Sequence, residues 1–144
     1  IADGDWSSDV CSSDLTRRSH AYAWKSLREA GAALAFGSDA PVEPIDPIRG
    51  IHAAVTLRTA DGPAADTEQL SRATALYAYT QGAAYAAFQE DRLGSITPGK
   101  RADFVVLSQD LMTVSSDRLL DTDVVATYLD GSPVYARPEW PEGQ

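Results

Sequence analysis

Apolar side chains recur at two spacings along this chain, and the switch between them divides it. In HAYAWKSLREAGA, residues 20–32, Ala23, Trp24, Leu27 and Ala30 return at helical intervals while Lys25, Arg28 and Glu29 lie opposite. That pattern predicts an amphipathic helix, stopped at Gly31 because glycine readily takes the left-handed turn that closes helices. ALAF, residues 33–36, is a short unbroken apolar run. Such a run fits a strand buried on both faces, as in a parallel sheet, or a buried helical segment. GSDAPVEPIDP follows, and its three prolines and one glycine predict a loop.

DPIRGIHAAVTLR restores helical spacing, with Asp46 placed as N-cap and Pro47 at the first helical position, where its missing N–H costs nothing. TADGPAADT predicts a loop, and Glu68 to Glu90 a helical stretch that Gly82 breaks in two. Beyond Asp91 the period shortens. A Pro-Gly turn leads into the β-branched strand DFVVL, and DVVATYLDGSPVYA reads as strand, Asp-Gly turn and strand, the pattern of a hairpin. RPEWPEGQ, with two prolines and little apolar content, predicts a frayed tail.

The first fifteen residues fit neither period. Back-translated, DWSSDVCSSDL resembles a widely used short-read sequencing adapter base for base, ending inside the Leu15 codon. Residues 1–15 are therefore expected to be an artefact, Thr16 the first genuine residue, and the protein to continue upstream of it. Cys11, the only cysteine, then leaves the argument, and with it any disulfide framework or thiol nucleophile. So do Asp3, Asp5, Asp9 and Asp14, although the remainder stays acidic.

Composition narrows the partners. With 144 residues, 44% hydrophobic and 23% charged, the chain is a globular one able to bury a core. Its formal charge of −9 argues against nucleic acid, whose affinity comes from clustered Lys and Arg. No apolar run approaches the about 20 residues that span a bilayer, and no basic-then-apolar leader is visible, so no membrane partner and a cytoplasmic location are expected.

The sharpest chemical candidate is Asp39, in GSDAP. A carboxylate released at the C-terminal end of a buried parallel strand is where α/β barrels place catalytic groups. The alternative is an aspartate that bonds its own backbone to shape the turn before Pro41. Ser38 does not sit in a G-x-S-x-G elbow and is read as structural or as a supporting hydrogen bonder. His20 and His52 are isolated, and no H-x-H, H-E-x-x-H or paired-Cys spacing occurs, so the chain cannot assemble a metal site by itself. Glu43, Asp46, Glu90 and Asp91 read as loop and helix-end charges, and Lys100 lacks a phosphate loop.

Three blocks carry a resemblance: AYAWKSLREAGAALAFGSDAPVEPIDPIRGIHAAVT, ALYAYTQGAAYAAFQEDRLGSITPGKRADFVVLSQDL and VVATYLDGSPVY. Together they resemble the C-terminal part of the amidohydrolase superfamily, most closely the family 3 branch that includes N-substituted formamide deformylases. The resemblance implies an α/β fold, the C-terminal part of a (β/α)8 TIM barrel plus strands of a small flanking β-sandwich. Residues 16–92 would be the last part of the barrel, with ALAF its eighth strand, 93–136 the sandwich strands and 137–144 a tail.

It further implies that Asp39 is the strand-eight aspartate, both a catalytic group and a ligand of a divalent metal, with zinc the expected ion. In that role it shuttles a proton from the attacking water to the leaving nitrogen of a small amide-like substrate. The histidine ligands of the family belong to earlier strands, so this chain alone is expected to be inactive, to bind no metal and to expose an aggregation-prone strand edge. The rival reading is a non-catalytic binding or structural domain in which Asp39 only shapes a turn.

Overall fold

The computed structural model describes residues 22–59, 62–63 and 68–140. The adapter-like residues 1–15, His20 and the last residues of the tail, 141–144, lie outside the described residues. Helix α1 is Trp24–Glu29 and ends as its sequence predicts. Gly31 has φ +92°, its N–H bonds the Arg28 carbonyl, and the Ala32 N–H reaches back to Leu27, so the glycine closes the last turn. The predicted apolar face is only partly covered, with Trp24 half-buried and Leu27 and Ala30 exposed. Beside the packing of Trp24 on the core, α1 is held by polar contacts: the Ser26 N–H and Oγ both donate to the Glu68 carboxylate, at 2.9 and 2.6 Å. Those bonds hold the Glu68 carboxyl below the usual carboxylate range.

Residues 33–36 form no strand, contrary to the reading of ALAF as a buried one. Leu34 and Phe36 are half-buried against the core while Ala33 and Ala35 are exposed, so the two-residue period of a strand is present on one side only. A parallel strand is defined by a ladder to neighbours. Among the described residues none pairs with this segment, and the Phe36 N–H donates to the Ala78 carbonyl, at 3.0 Å.

Helix α2, Pro47–Thr56, follows its sequence closely. The Asp46 carboxylate accepts the Ile48 N–H at 2.9 Å and Pro47 occupies the first turn. Ile48, Ile51 and Ala54 share its buried face. The segment read as a loop after it contains a minimal hairpin, β1 Arg58–Thr59 against β2 Gly62–Pro63. Leu57, in the left-handed conformation at φ +47°, turns the chain out of α2 into it.

The next helix starts four residues later than Glu68, because Ser71 caps it by accepting the Thr74 N–H. Helix α3, Arg72–Tyr77, runs through a π turn, Ala78–Gly82, into α4, Ala83–Ala86. Gly82 therefore does not break the helix. Its lack of a side chain admits the 33–36 segment instead: a Cβ there would lie 2.1 Å from the Leu34 carbonyl oxygen. In a helix interior alanine gains about 1 kcal/mol over glycine. Overpacking against backbone costs about 1–3 kcal/mol, so Gly82→Ala is expected to lower the midpoint of urea unfolding. A stabilised variant would rule out the close approach.

The core joins α2 and α3 to a segment with no sequence signal. Ile48, Ile51, Ala54, Leu70 and Ala75 pack with Leu111 and Leu119, the latter in a 3-10 helix, Ser116–Asp121. Arg72 anchors this segment by donating to the Leu111 carbonyl and to Ser116 Oγ.

The β region is an antiparallel sheet in the order β3, Phe104–Leu107, β4, Val124–Leu129, and β5, Ser132–Ala136. Asp130 and Gly131, at φ +52° and +77°, make the hairpin turn expected of Asp-Gly. Phe104 stacks on Tyr128, its register partner, with centroids 4.6 Å apart. The predicted fraying does not begin at Arg137. Its N–H bonds the Val125 carbonyl, its guanidinium contacts Asp123 at 2.8 Å, and Trp140 donates to the Tyr128 hydroxyl. No parallel strand pair occurs among the described residues, and no helix among them is long and apolar enough to cross a membrane.

Candidate active site

Asp39 sits where the 33–36 segment gives way to the proline-rich loop. Its φ of +55° is left-handed, a conformation aspartate tolerates better than most residues. The turn is closed by the Asp39 backbone: its carbonyl accepts the Val42 N–H at 2.9 Å and the Glu43 N–H at 3.4 Å. The exposed carboxylate makes no hydrogen bond or ion pair among the described residues. Asp39 does shape a turn, but with its main chain, which leaves the side-chain oxygens for other partners.

Behind this loop lies a row of rings. Tyr22, Trp24, Phe36 and Tyr79 follow one another with centroids 5.5, 5.2 and 5.7 Å apart. Tyr79, on the π turn, donates its hydroxyl to the Gly37 carbonyl at 3.4 Å. Partial burial pushes that hydroxyl up from its ordinary pKa, so it keeps the proton it donates. Space for the ring comes from α2: a Cβ on Gly50 would fall 1.7 Å from the Tyr79 hydroxyl oxygen.

The remaining sequence candidates are not gathered here into a metal-binding set. Asp46 is committed to the α2 cap, and Glu43, Glu90 and Asp91 are exposed. Ser38 is half-buried beside Asp39, and His52 is half-buried within α2. Lys100 donates to the Leu93 and Glu90 carbonyls, a loop-tying role that accounts for it without a nucleotide. Among the described residues no three His, Cys, Asp or Glu side chains converge. A catalytic zinc takes three protein ligands, so the described residues do not by themselves fit a bound ion; they offer the Asp39 carboxylate as one donor.

Tyr79 and Gly50 escaped the sequence reading. One signal was present: a glycine inside a helix costs about 1 kcal/mol relative to alanine, and an uncompensated one points to a close approach.

Comparison with known proteins gives consistent relatives. The amidohydrolase family profile matches residues 5–135. A putative amidohydrolase, YtcJ, of Bacillus subtilis (strain 168) is 36% identical over 140 residues, covering 94% of this chain and 26% of that protein. The N-substituted formamide deformylase of Arthrobacter pascens is 32% identical over 114 residues, covering 78% of this chain and 21% of that protein.

Two solved structures share the fold. An amidohydrolase from Thermotoga maritima MSB8 superposes with a TM-score of 0.64 at 26% identity, over 81% of this chain and 26% of that one. An uncharacterized metal-dependent hydrolase from Pyrococcus furiosus gives 0.58 at 36% identity, over 68% and 20%. The chain thus spans about a fifth to a quarter of the length of the relatives it matches.

Proposed function

Because this chain belongs to the amidohydrolase family, we propose that it is the C-terminal part of a metal-dependent hydrolase that cleaves carbon–nitrogen bonds other than peptide bonds in small amide-like substrates. The observation that carries the reading is the family match over residues 5–135, a span that contains the exposed Asp39 carboxylate. The deformylase relative supports an amide-like substrate and the Pyrococcus neighbour supports a metal.

Hydrolysis of an amide needs a base that takes a proton from the attacking water and returns it to the nitrogen, which leaves poorly as an anion. Asp39 performs both transfers in this reading. A divalent ion, zinc by preference, would polarise the carbonyl. Its other donors would come from the length of the relatives that this chain does not span, so the chain alone is inactive. In the same proposal residues 33–36 take the place of the last barrel strand, and β3 to β5 belong to a flanking sandwich. The parent is a cytoplasmic enzyme, and residues 1–15 derive from an adapter.

The family match begins inside those fifteen residues, so sequencing the source DNA across the Thr16 codon comes first. An unbroken genomic copy of the first fifteen codons would remove the adapter. With the full-length gene in hand, turnover of N-substituted formamides and related amides should disappear on chelation and return with zinc. The 144-residue chain should show none. Undiminished turnover by the metal-stripped enzyme would sink the reading.

A further inference from the structure

We propose that Tyr79 is a positioning residue for Asp39: seated over Gly50, its ring brings the hydroxyl onto the Gly37 carbonyl and so fixes the backbone that carries the Asp39 carboxylate. The proposal rests on the reading of Asp39 as the proton-transfer group.

Three contacts from one helical turn fall on three residues of the 34–37 stretch. The Ala78 carbonyl accepts the Phe36 N–H at 3.0 Å, the Tyr79 hydroxyl reaches the Gly37 carbonyl at 3.4 Å, and Gly82 lies against the Leu34 carbonyl. The first of these comes from Ala78, the first residue of the π turn. Among the described residues the Asp39 carboxylate has no hydrogen bond or ion pair to aim it, so its direction follows from the backbone before and after it. After it, the loop is held by the Asp46 cap. Before it, the last anchors are Phe36 on Ala78 and Gly37 on Tyr79.

Gly50 explains how the tyrosine reaches that position. Alanine there would be the better helix former, yet its Cβ would fall 1.7 Å from the hydroxyl oxygen and 2.6 Å from Cζ. A ring tip can swing aside where backbone cannot. Gly50→Ala is therefore expected to displace Tyr79 while leaving α2 intact.

Displacing a reacting group by about 1 Å can cost on the order of a hundredfold in rate. In the full-length enzyme, Tyr79→Phe and Gly50→Ala should each lower kcat about tenfold or more at unchanged KM, with the thermal midpoint little moved. Both losses should vanish in an Asp39→Asn background, which a general packing role would not produce. If Asp39→Asn is inactive while Tyr79→Phe and Gly50→Ala keep the wild-type kcat, the positioning role is overturned and the Asp39 reading stands. If Asp39→Asn retains turnover, the reading itself falls and the positioning role with it.

Discussion

Replacing Asp39 by Asn in the full-length protein should lower kcat by about a hundred- to ten-thousandfold, the usual contribution of a positioned acid–base group. The substitution isolates the chemistry. Asparagine has the same shape, accepts the left-handed φ of +55° as readily as aspartate, and leaves the turn-closing backbone carbonyl in place. What it removes is the negative charge, and with it the capacity to take up and release a proton and to serve as an anionic metal donor at this site. Steady-state kinetics on the amide that the wild type turns over best, with a thermal melt of both proteins, would test this. An Asn variant with more than a tenth of wild-type kcat would show that Asp39 only builds the loop and that another group moves the proton.

The largest effect on stability is expected at Leu119, which is fully buried on the 3-10 helix. It belongs to the cluster with Ile48, Ile51 and Ala54 of α2 and with Ala75 of α3. Truncation to alanine removes the transfer free energy of the lost carbons and leaves a cavity, together about 2–5 kcal/mol. Domains are stable by about 5–15 kcal/mol, so the loss would take a large share of the total. The adjacent Leu120, 51% exposed, provides the control: Leu120→Ala should stay within about 0.5 kcal/mol. Urea unfolding of the two variants beside the wild type would separate them. Equal losses at both positions would show that the 110–121 segment does not pack on α2.

Such a test also probes the proposed site around Asp39 indirectly. The cluster buries the face of α2 that carries Ile48 and Ile51, and α2 begins at the Asp46 cap that ends the Asp39 loop. Loosening the core under α2 would therefore relax one end of that loop, while Tyr79 and Ala78 hold the other.

Much of this chain was decided locally and was legible in its sequence. Asp46-Pro47 starts α2, Gly31 stops α1 and Asp130-Gly131 turns the hairpin because each acts through its own φ, side-chain oxygen or missing N–H, whatever the rest of the molecule does. The three blocks that resemble the amidohydrolases are likewise carried by residue identity, and the family match agrees with them.

Other features depend on what approaches from elsewhere. Apolar residues 33–36 have the composition of a buried strand, but a strand also needs a partner ladder, and here the Phe36 N–H goes to a helix carbonyl instead. Gly82 reads as a breaker until the Leu34 carbonyl is seen lying against it. Arg137 and Trp140 look like a free tail until the sheet offers them Val125, Asp123 and Tyr128.

Tyr79 shows the same division at the site. Hydrophobic periodicity places it on a helix, but only the fold brings Gly50 beneath its hydroxyl and the Gly37 carbonyl in front of it. Sequence determined which residues could act through local backbone and side-chain chemistry. Tertiary structure decided which groups meet, because contacts between residues far apart in the chain depend on packing that no single segment encodes.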